Sequence, residues 1–320
     1  MTPKEHFIHF LKREPYQWTP NSLDQIYFHP AMIPDYVARA MVAEHKPYAG
    51  EWGGKDMFGV DWVYVPSVGG SMETAPLFDD ISRWEELVVW PDLDQYDWAG
   101  CAKENADYLN SDKLIHSTIF TGYFERLISF VGFENASIAL IDEEEQEIVH
   151  KLFDRLTELY IDFIRRLRQW FHVDLVELHD DWGNQRSLMF SEDTHREMIL
   201  PYVKRVVDAA HEMGVLIEQH SCGKIEALQP HIIESGVDTW RGQNSVVDKK
   251  WLVDTYGDRF RFGVDVQLDP DATAEQGLAA ISQMMEAYHG KDVWFVLFRP
   301  RLGEEFCQTV AEHLRSTGHV

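Results

Sequence analysis

Between residues 114 and 298 the chain alternates short apolar runs with long amphipathic stretches, and this alternation limits the fold more than any other feature. Runs rich in branched and aromatic residues fall at 114–118, 173–178, 215–219, 237–240, 260–264 and 293–298. Each has strand length, and helical patterns separate them. The clearest helix is 143–171, where Ile148, Leu152, Leu156, Tyr160, Ile164 and Leu167 recur on one face. Strands alternating with helices predict parallel βα units. Six such units are legible. Two further strands are expected nearer the N-terminus, at 25–28 and within 60–90, and eight would close a (β/α)8 barrel of the TIM type.

Local signals add detail to this α/β frame. Thr2-Pro3-Lys4-Glu5 is a capping box with proline at the first helical position, which predicts a helix over 3–13. Residues 50–90 differ in character. Trp52, Phe58, Trp62, Val63 and Val65 alternate with glycines and polar residues, and Gly69-Gly70 is a turn signal, so a β-hairpin addition is expected over the barrel mouth. Residues 91–94 read as a connector. Ser191 caps a helix that Pro201 interrupts or kinks. A further helix stops near Gly236. Thr273-Ala274-Glu275-Gln276 is another capping box, opening a helix that runs to Gly290, and residues 303–316 form the last helix. A chain of 320 residues suits a single barrel domain. In this reading residues 1–110 supply an N-terminal elaboration and the first strands, and 111–320 the regular βα units.

Charge and cysteine usage narrow the partners. The net charge is −25, which speaks against nucleic acid, an anionic membrane surface and a polyanionic substrate. Apolar runs stay far below the roughly 20 residues that span a bilayer, and Met1-Thr2-Pro3-Lys4-Glu5 lacks signal-peptide architecture. The three cysteines, Cys101, Cys222 and Cys307, are not a disulfide framework. A cytoplasmic protein with reduced thiols is expected.

In a parallel barrel the chemistry gathers at the carboxyl ends of the strands. The exit of the run at 215–219 reads His220-Ser221-Cys222-Gly223. An imidazole and a thiol two residues apart can grip one soft metal ion. Zinc favours such mixed nitrogen and sulfur donors, and a catalytic zinc needs three protein ligands and one open position. The other strand exits present His179, Asp180 and Asp181, then Arg241, Gln243 and Asn244, then Asp265. Tyr123 and Glu125 follow the strand at 114–118. Asp181 and Asp180 are the expected catalytic carboxylates, because two adjacent acids at a strand exit are costly unless a cation pairs them. Tyr123, His179, Arg241, Gln243 and Asp265 are the expected substrate contacts. Cys307 shares a helical face with Val310 and Leu314, where a buried thiol also serves as a small apolar residue. His172, His195, His211, His231 and His313 lie on helices or helix ends and read as structural.

Residues 214–243 run strand, HSCG turn, helix and Gly236-Val237-Asp238 strand, and so resemble the uroporphyrinogen decarboxylase superfamily. His179-Asp180-Asp181-Trp182-Gly183-Asn184-Gln185, with Met189-Phe190-Ser191 after it, looks like that superfamily's branch of corrinoid-dependent methyltransferases and O-demethylase components. Tyr123-Phe124-Glu125-Arg126, Phe133-Glu134-Asn135 and Tyr256-Gly257-Asp258-Arg259 extend the match over roughly residues 1–300. The resemblance implies a barrel enzyme that moves a methyl group between a small donor or acceptor, such as an aryl methyl ether, and a corrinoid carried by a partner protein. It also implies a third zinc ligand, a cysteine after the last strand, for which Cys307 is the nearest thiol. The arginine-rich motif of the decarboxylases is missing from Glu14-Pro15-Tyr16-Gln17-Trp18-Thr19-Pro20. A uroporphyrinogen-type decarboxylase and a non-catalytic binding member are the alternatives.

Overall fold

The six apolar runs are strands in the structure, a computed structural model that describes residues 1–67, 70–267, 273–297 and 303–318. They span Leu114–Ile119, Leu175–His179, Leu216–Ser221, Thr239–Gly242, Arg261–Val266 and Val293–Leu297. A seventh strand, Gln25–Tyr27, matches the expectation at 25–28. The α/β class and its parallel βα construction are as expected. The strand sought within 60–90 is different. That segment forms a separate antiparallel sheet of Gly54–Lys55, Asp61–Val65 and Gly70–Glu73. Its strands alternate buried Trp62 with exposed Val63, a half-solvated pattern that suits an antiparallel sheet and not a barrel strand covered on both faces. Gly69 of the expected turn, and the stretch 298–301 after the last strand, lie outside the described residues.

The chain divides into two units that interleave along the sequence. One comprises Met1–Ile26, Asp112–Leu114 and Asp238–Val320, the other Tyr27–Ser111 and Ile115–Val237. In the first unit the three strands from Thr239 to Leu297 pair in parallel, with Thr239 opposite Arg261 and Val296 opposite Asp265. Helix Pro3–Leu11 begins at the expected capping box, where Thr2 and Glu5 exchange hydrogen bonds of 3.1 and 2.9 Å. It buries Phe7 against Trp294, ring centroids 5.4 Å apart. Helices Lys249–Tyr256, Ala274–Ala287 and Glu304–Thr317 complete the unit.

In the second unit the strand Leu114–Ile119, from Ile115 on, runs parallel to Leu175–His179, and that strand to Leu216–Ser221, with Glu177 opposite Glu218 and His179 opposite His220. The 29-residue helix Glu143–Phe171 covers them as the periodicity predicts. Asp142 caps its first turn by accepting from the Glu144 and Glu145 N–H groups, and the acidic residues there complement the helix dipole. Left-handed His172 ends it. Leu152, Phe153, Leu156, Ile164 and Leu167 are fully buried, and each such side chain stabilises the fold by about 1.5–3 kcal/mol. Pro201 does interrupt the next helical stretch, which divides into Glu192–Met198 and Leu200–Glu212. Among the described residues no helix is long and apolar enough to cross a membrane.

Candidate metal centre

The strands of the second unit run beyond the apolar segments that announced them, and their ends carry the site. The run at 215–219 extends to Ser221, so His220 lies within the strand. Residues Glu177 and His179 project to one side of their strand, as do Glu218 and His220 of theirs, because side chains alternate with a period of two. The His179 and His220 rings stack with centroids 4.4 Å apart and planes 19° from parallel.

Gly223 explains why the turn after His220 has its sequence. Its φ is +85°, and a Cβ there would collide with the Gly183 carbonyl group. The 220–223 turn therefore packs backbone to backbone on the 180–184 loop. Trp182 N–H donates to Ser221 Oγ at 2.9 Å, and Lys224 N–H donates to the Asn184 carbonyl at 2.8 Å. This apposition carries Asp181 to the thiol turn, where its Oδ1 accepts the Cys222 N–H at 2.6 Å. His220 Nε2 lies 3.4 Å from Cys222 Sγ. Asp181, His220 and Cys222 thus present a carboxylate oxygen, an imidazole nitrogen and a sulfur within 4.8 Å of one another. Zinc bond lengths at a tetrahedral angle put N and S donors about 3.5 Å apart, so the observed spacing fits a shared ion.

The electrostatics fit as well. Burial pushes the Cys222 thiol well above its ordinary range, and the charge of Asp181 adds to this. In that field the thiol keeps its proton, and a divalent cation on the same donors reverses the sign of the field. Burial also works to raise Asp181, but His179, His220 and the Cys222 N–H outweigh it and hold the carboxyl below its usual range. His179 moves the other way. Burial alone would lower it, yet the hydrogen bond it donates to Glu177, with Glu125 and Asp181 close by, lifts it to about 8. Arg39 closes the group. It contacts Glu125 Oε1 at 3.5 Å and Thr121 Oγ1 at 3.3 Å, with its guanidinium 4.5 Å from the Trp62 ring centroid.

Within the second unit not every expected residue joins this group. Asp180 is fully buried and accepts the Phe124 and Glu125 N–H groups at 3.0 and 2.9 Å and Trp182 Nε1–H at 2.9 Å. It therefore caps the helix Tyr123–Val131 and is in none of the donor clusters among the described residues. Gly122 has no side chain because a Cβ there would sit 2.5 Å from the Asp180 Cβ. Tyr123 is a core residue. Its ring packs on Phe153, Tyr160 and Tyr202, and its hydroxyl lies 2.7 Å from Thr157 Oγ1. Arg241, Gln243 and Asp265 belong to the first unit, where Asn244 donates to the Asp265 carbonyl at 3.1 Å and Lys249 and Arg241 oppose the upward push of burial on Asp265. Cys307 lies half-buried on the first unit's helix Glu304–Thr317.

Glu125, read at the exit of the strand at 114–118, joins the site, whereas Glu177 and Arg39 are site residues that sequence reasoning passed over. Glu177 had a usable signal. Both strands read Glu-x-His, as Glu177-Leu178-His179 and Glu218-Gln219-His220, and charged residues at alternate positions of an apolar strand share one face. Arg39 follows the short helix Pro34–Ala38 in a stretch without periodicity, and carried no such signal.

Trp182 ties the site to two histidines expected to be structural. Its ring meets His195 edge-on at 4.5 Å, and His195 Nδ1 lies 3.1 Å from His231 Nδ1. Burial, with His231 and Arg196 adding to it, lowers His195 to about 3. The unfolded value is about 6.5. The stability tied to neutral His195 is therefore complete above pH 6.5 and falls as the pH drops toward 3, by up to about 1.4 kcal/mol per pH unit. His195→Gln is expected to flatten this part of the acid limb. Urea midpoints at pH 7 and pH 5 would check it, and equal slopes in variant and parent would refute it.

Residues 122–262 match the family model described as uroporphyrinogen decarboxylase (URO-D). They include the Tyr123 helix, the Asp181 loop and the HSCG turn, and the motif resemblance to that superfamily is thereby borne out. Among solved structures, a methyltransferase from Methanosarcina mazei superposes with a TM-score of 0.70 at 15% identity, covering 99% of this chain and 99% of that one. It shares the fold, which bears out the TIM-type α/β class. A glycosylated endo-beta-1,4-xylanase from Gloeophyllum trabeum superposes at a TM-score of 0.40 and 11% identity, over 64% of this chain and 69% of its own. An Old Yellow Enzyme from a Pichia species also superposes at 0.40 and 11%, over 69% and 66%. No curated protein matches the chain.

Proposed function

We propose that this protein is a metal-assisted methyltransferase that moves a methyl group between a small O-methyl substrate, such as an aryl methyl ether, and a corrinoid carried by a partner protein. The observation that carries this reading is the trio Asp181, His220 and Cys222 at the carboxyl ends of adjacent strands, with nitrogen and sulfur 3.4 Å apart. His220 Nε2, Cys222 Sγ and an Asp181 oxygen would hold zinc. When bound, the ion supplies Lewis-acid polarisation of the oxygen that loses the methyl group. The chain's own groups do the rest. Asp181 fixes the thiol turn through the Cys222 N–H. Glu177 holds the His179 ring by its Nδ1, so that Nε2 can carry a proton to a departing phenolate oxygen. Arg39 balances part of the acidic surround, and Trp62 and Phe120 flank its guanidinium as apolar walls.

The family match keeps a decarboxylase as the second reading. The missing arginine motif and the net charge of −25 argue against a polyanionic porphyrinogen. One assay separates the two. Zinc-loaded protein is mixed with cob(I)alamin and a panel of aryl methyl ethers, and methylcobalamin is followed by absorbance. Methylcobalamin formation with at least one ether is expected. Failure with every donor, together with decarboxylation of a porphyrinogen, would reverse the assignment.

A further inference from the structure

His179 is bonded differently from His220. Its Nδ1 faces Glu177 Oε1 at 3.1 Å, which makes Nδ1 the N–H donor and leaves Nε2 facing the other way. Nε2 stands 3.9 Å from Glu125 Oε2 and 3.9 Å from Asp181 Oδ1. Neither distance is a hydrogen bond. Glu125 Oε2 is itself buried and accepts no hydrogen bond, while Arg39 contacts the other oxygen at 3.5 Å. One nitrogen and two carboxylate oxygens are therefore gathered within 4.8 Å, paired by charge when His179 is protonated but not hydrogen-bonded to one another. A carboxylate behind one imidazole nitrogen, with the other nitrogen facing open donors, is the usual support of a metal-ligating histidine. Three formal negative charges, those of Glu125, Glu177 and Asp181, surround this ring, against the guanidinium of Arg39.

We propose that Glu125, His179 and Asp181 form a second divalent-cation site, that Asp181 is shared with the His220–Cys222 site, and that Glu177 is the positioning residue for His179. The proposal rests on the preceding reading in that Asp181 serves both sites, and with the second ion bound His179 Nε2 is a ligand in place of a proton carrier. The two sites differ in chemistry. A set of one imidazole and two carboxylates, with no sulfur, suits a harder ion of the Mn²⁺ class, whereas the thiolate site selects zinc. Carboxylate-bridged pairs of metals act as clamps on an oxygen whose charge grows during displacement. The ligand class that a paired centre favours is thus a substrate bearing an oxygen anion, or one that leaves as such. A proton on Nε2, held between two carboxylates, is the competing occupant of the same space.

The test uses the full chain loaded with zinc and titrated with Mn²⁺, reading free Mn²⁺ by its EPR signal and bound zinc by elemental analysis. One Mn²⁺ per chain beside the zinc is expected. Glu125→Gln, nearly isosteric, should weaken Mn²⁺ binding at least tenfold with zinc content unchanged. Glu177→Gln should weaken it by about 10- to 100-fold, the range for groups behind a ligand. Cys222→Ala should lose zinc and keep Mn²⁺, since its backbone N–H still serves Asp181. Zinc retained with no Mn²⁺ bound, or Mn²⁺ bound equally by Glu125→Gln and the parent, overturns the second site and leaves the first standing. Mn²⁺ bound in a protein that takes up no zinc overturns the first and leaves the second. Thermal melts of each variant separate lost ligands from lost folding.

Discussion

Cys222→Ala and His220→Ala are each expected to purify without zinc and to transfer methyl groups at least about 100-fold more slowly than the parent. The size follows from the chemistry. Lewis-acid stabilisation of a leaving oxygen is worth several kcal/mol, and each 1.36 kcal/mol is a factor of ten in rate. A site of three donors does not survive the loss of its sulfur or its imidazole, because the two donors that remain bind zinc weakly. Folding should be little affected. Both residues are only partly buried, at a strand exit, and neither forms part of the apolar core. Two further variants decide the donor set. Resemblance implies Cys307 as the third donor, and within the second unit Asp181 lies with the other two. Asp181→Asn should therefore release zinc, and Cys307→Ala should leave zinc content at the parent level. Elemental analysis of dialysed protein and initial rates of methylcobalamin formation make the comparison. Parent-level zinc and activity in Cys222→Ala would end the metal-based reading.

The reach of sequence reasoning is clearest at the strand ends. Apolar runs locate the strands because burial on both faces demands such side chains. The runs at 215–219, 237–240 and 260–264 nevertheless each stop two residues short of the observed strands, at Ser221, Gly242 and Val266. Polarity ended the runs where the backbone ladder did not end. His220 and Asp265 lie within strands yet look like loop residues in the sequence. The HSCG turn was legible because glycine, thiol and imidazole form a dense chemical signal. Asp180 and Asp181 were equally visible but not separable. Only the packing of Gly122 against Asp180, and of Gly183 against Gly223, sends one carboxylate to a helix N-terminus and the other to the thiol. Tyr123 misled for a similar reason. A helix that starts at a strand exit turns its residues in several directions, and here Tyr123 faces the core while Glu125 lies beside His179.

Arg126→Met is expected to lower the unfolding free energy by about 3–5 kcal/mol, the usual effect of stranding buried charges. Arg126 is 1% exposed and lies among two buried carboxylates and an aromatic floor. Its Nη1 donates to Asp56 Oδ2 at 2.5 Å and its Nη2 to Asp35 Oδ1 at 3.2 Å, with the guanidinium 4.5 Å from the Phe58 ring centroid. Burial works to lower this guanidinium's pKa, but Asp56 and Asp35 outweigh it and keep the cation charged. The acids are committed in turn. Asp56 accepts Phe58 N–H, Val60 N–H and Trp62 Nε1–H at 2.9 to 3.1 Å, and Asp35 accepts Met57 N–H at 2.8 Å. One helix residue thus fastens residues 35–62 to the helix Tyr123–Val131. Domain stabilities are about 5–15 kcal/mol, so a loss of this size takes a large share. Replacing all three as Arg126→Met, Asp35→Asn and Asp56→Asn should recover part of it, because the charges leave together. Urea unfolding of the single and triple variants tests both statements, and a single-variant loss below about 1 kcal/mol would show the cluster to be wetter than its burial implies. The same fastening reaches the site, since Trp62 both donates to Asp56 and packs on Arg39, which contacts Glu125. Under conditions where Arg126→Met still folds, its zinc should stay bound to His220 and Cys222, while methyl transfer slows because Arg39 has lost its support.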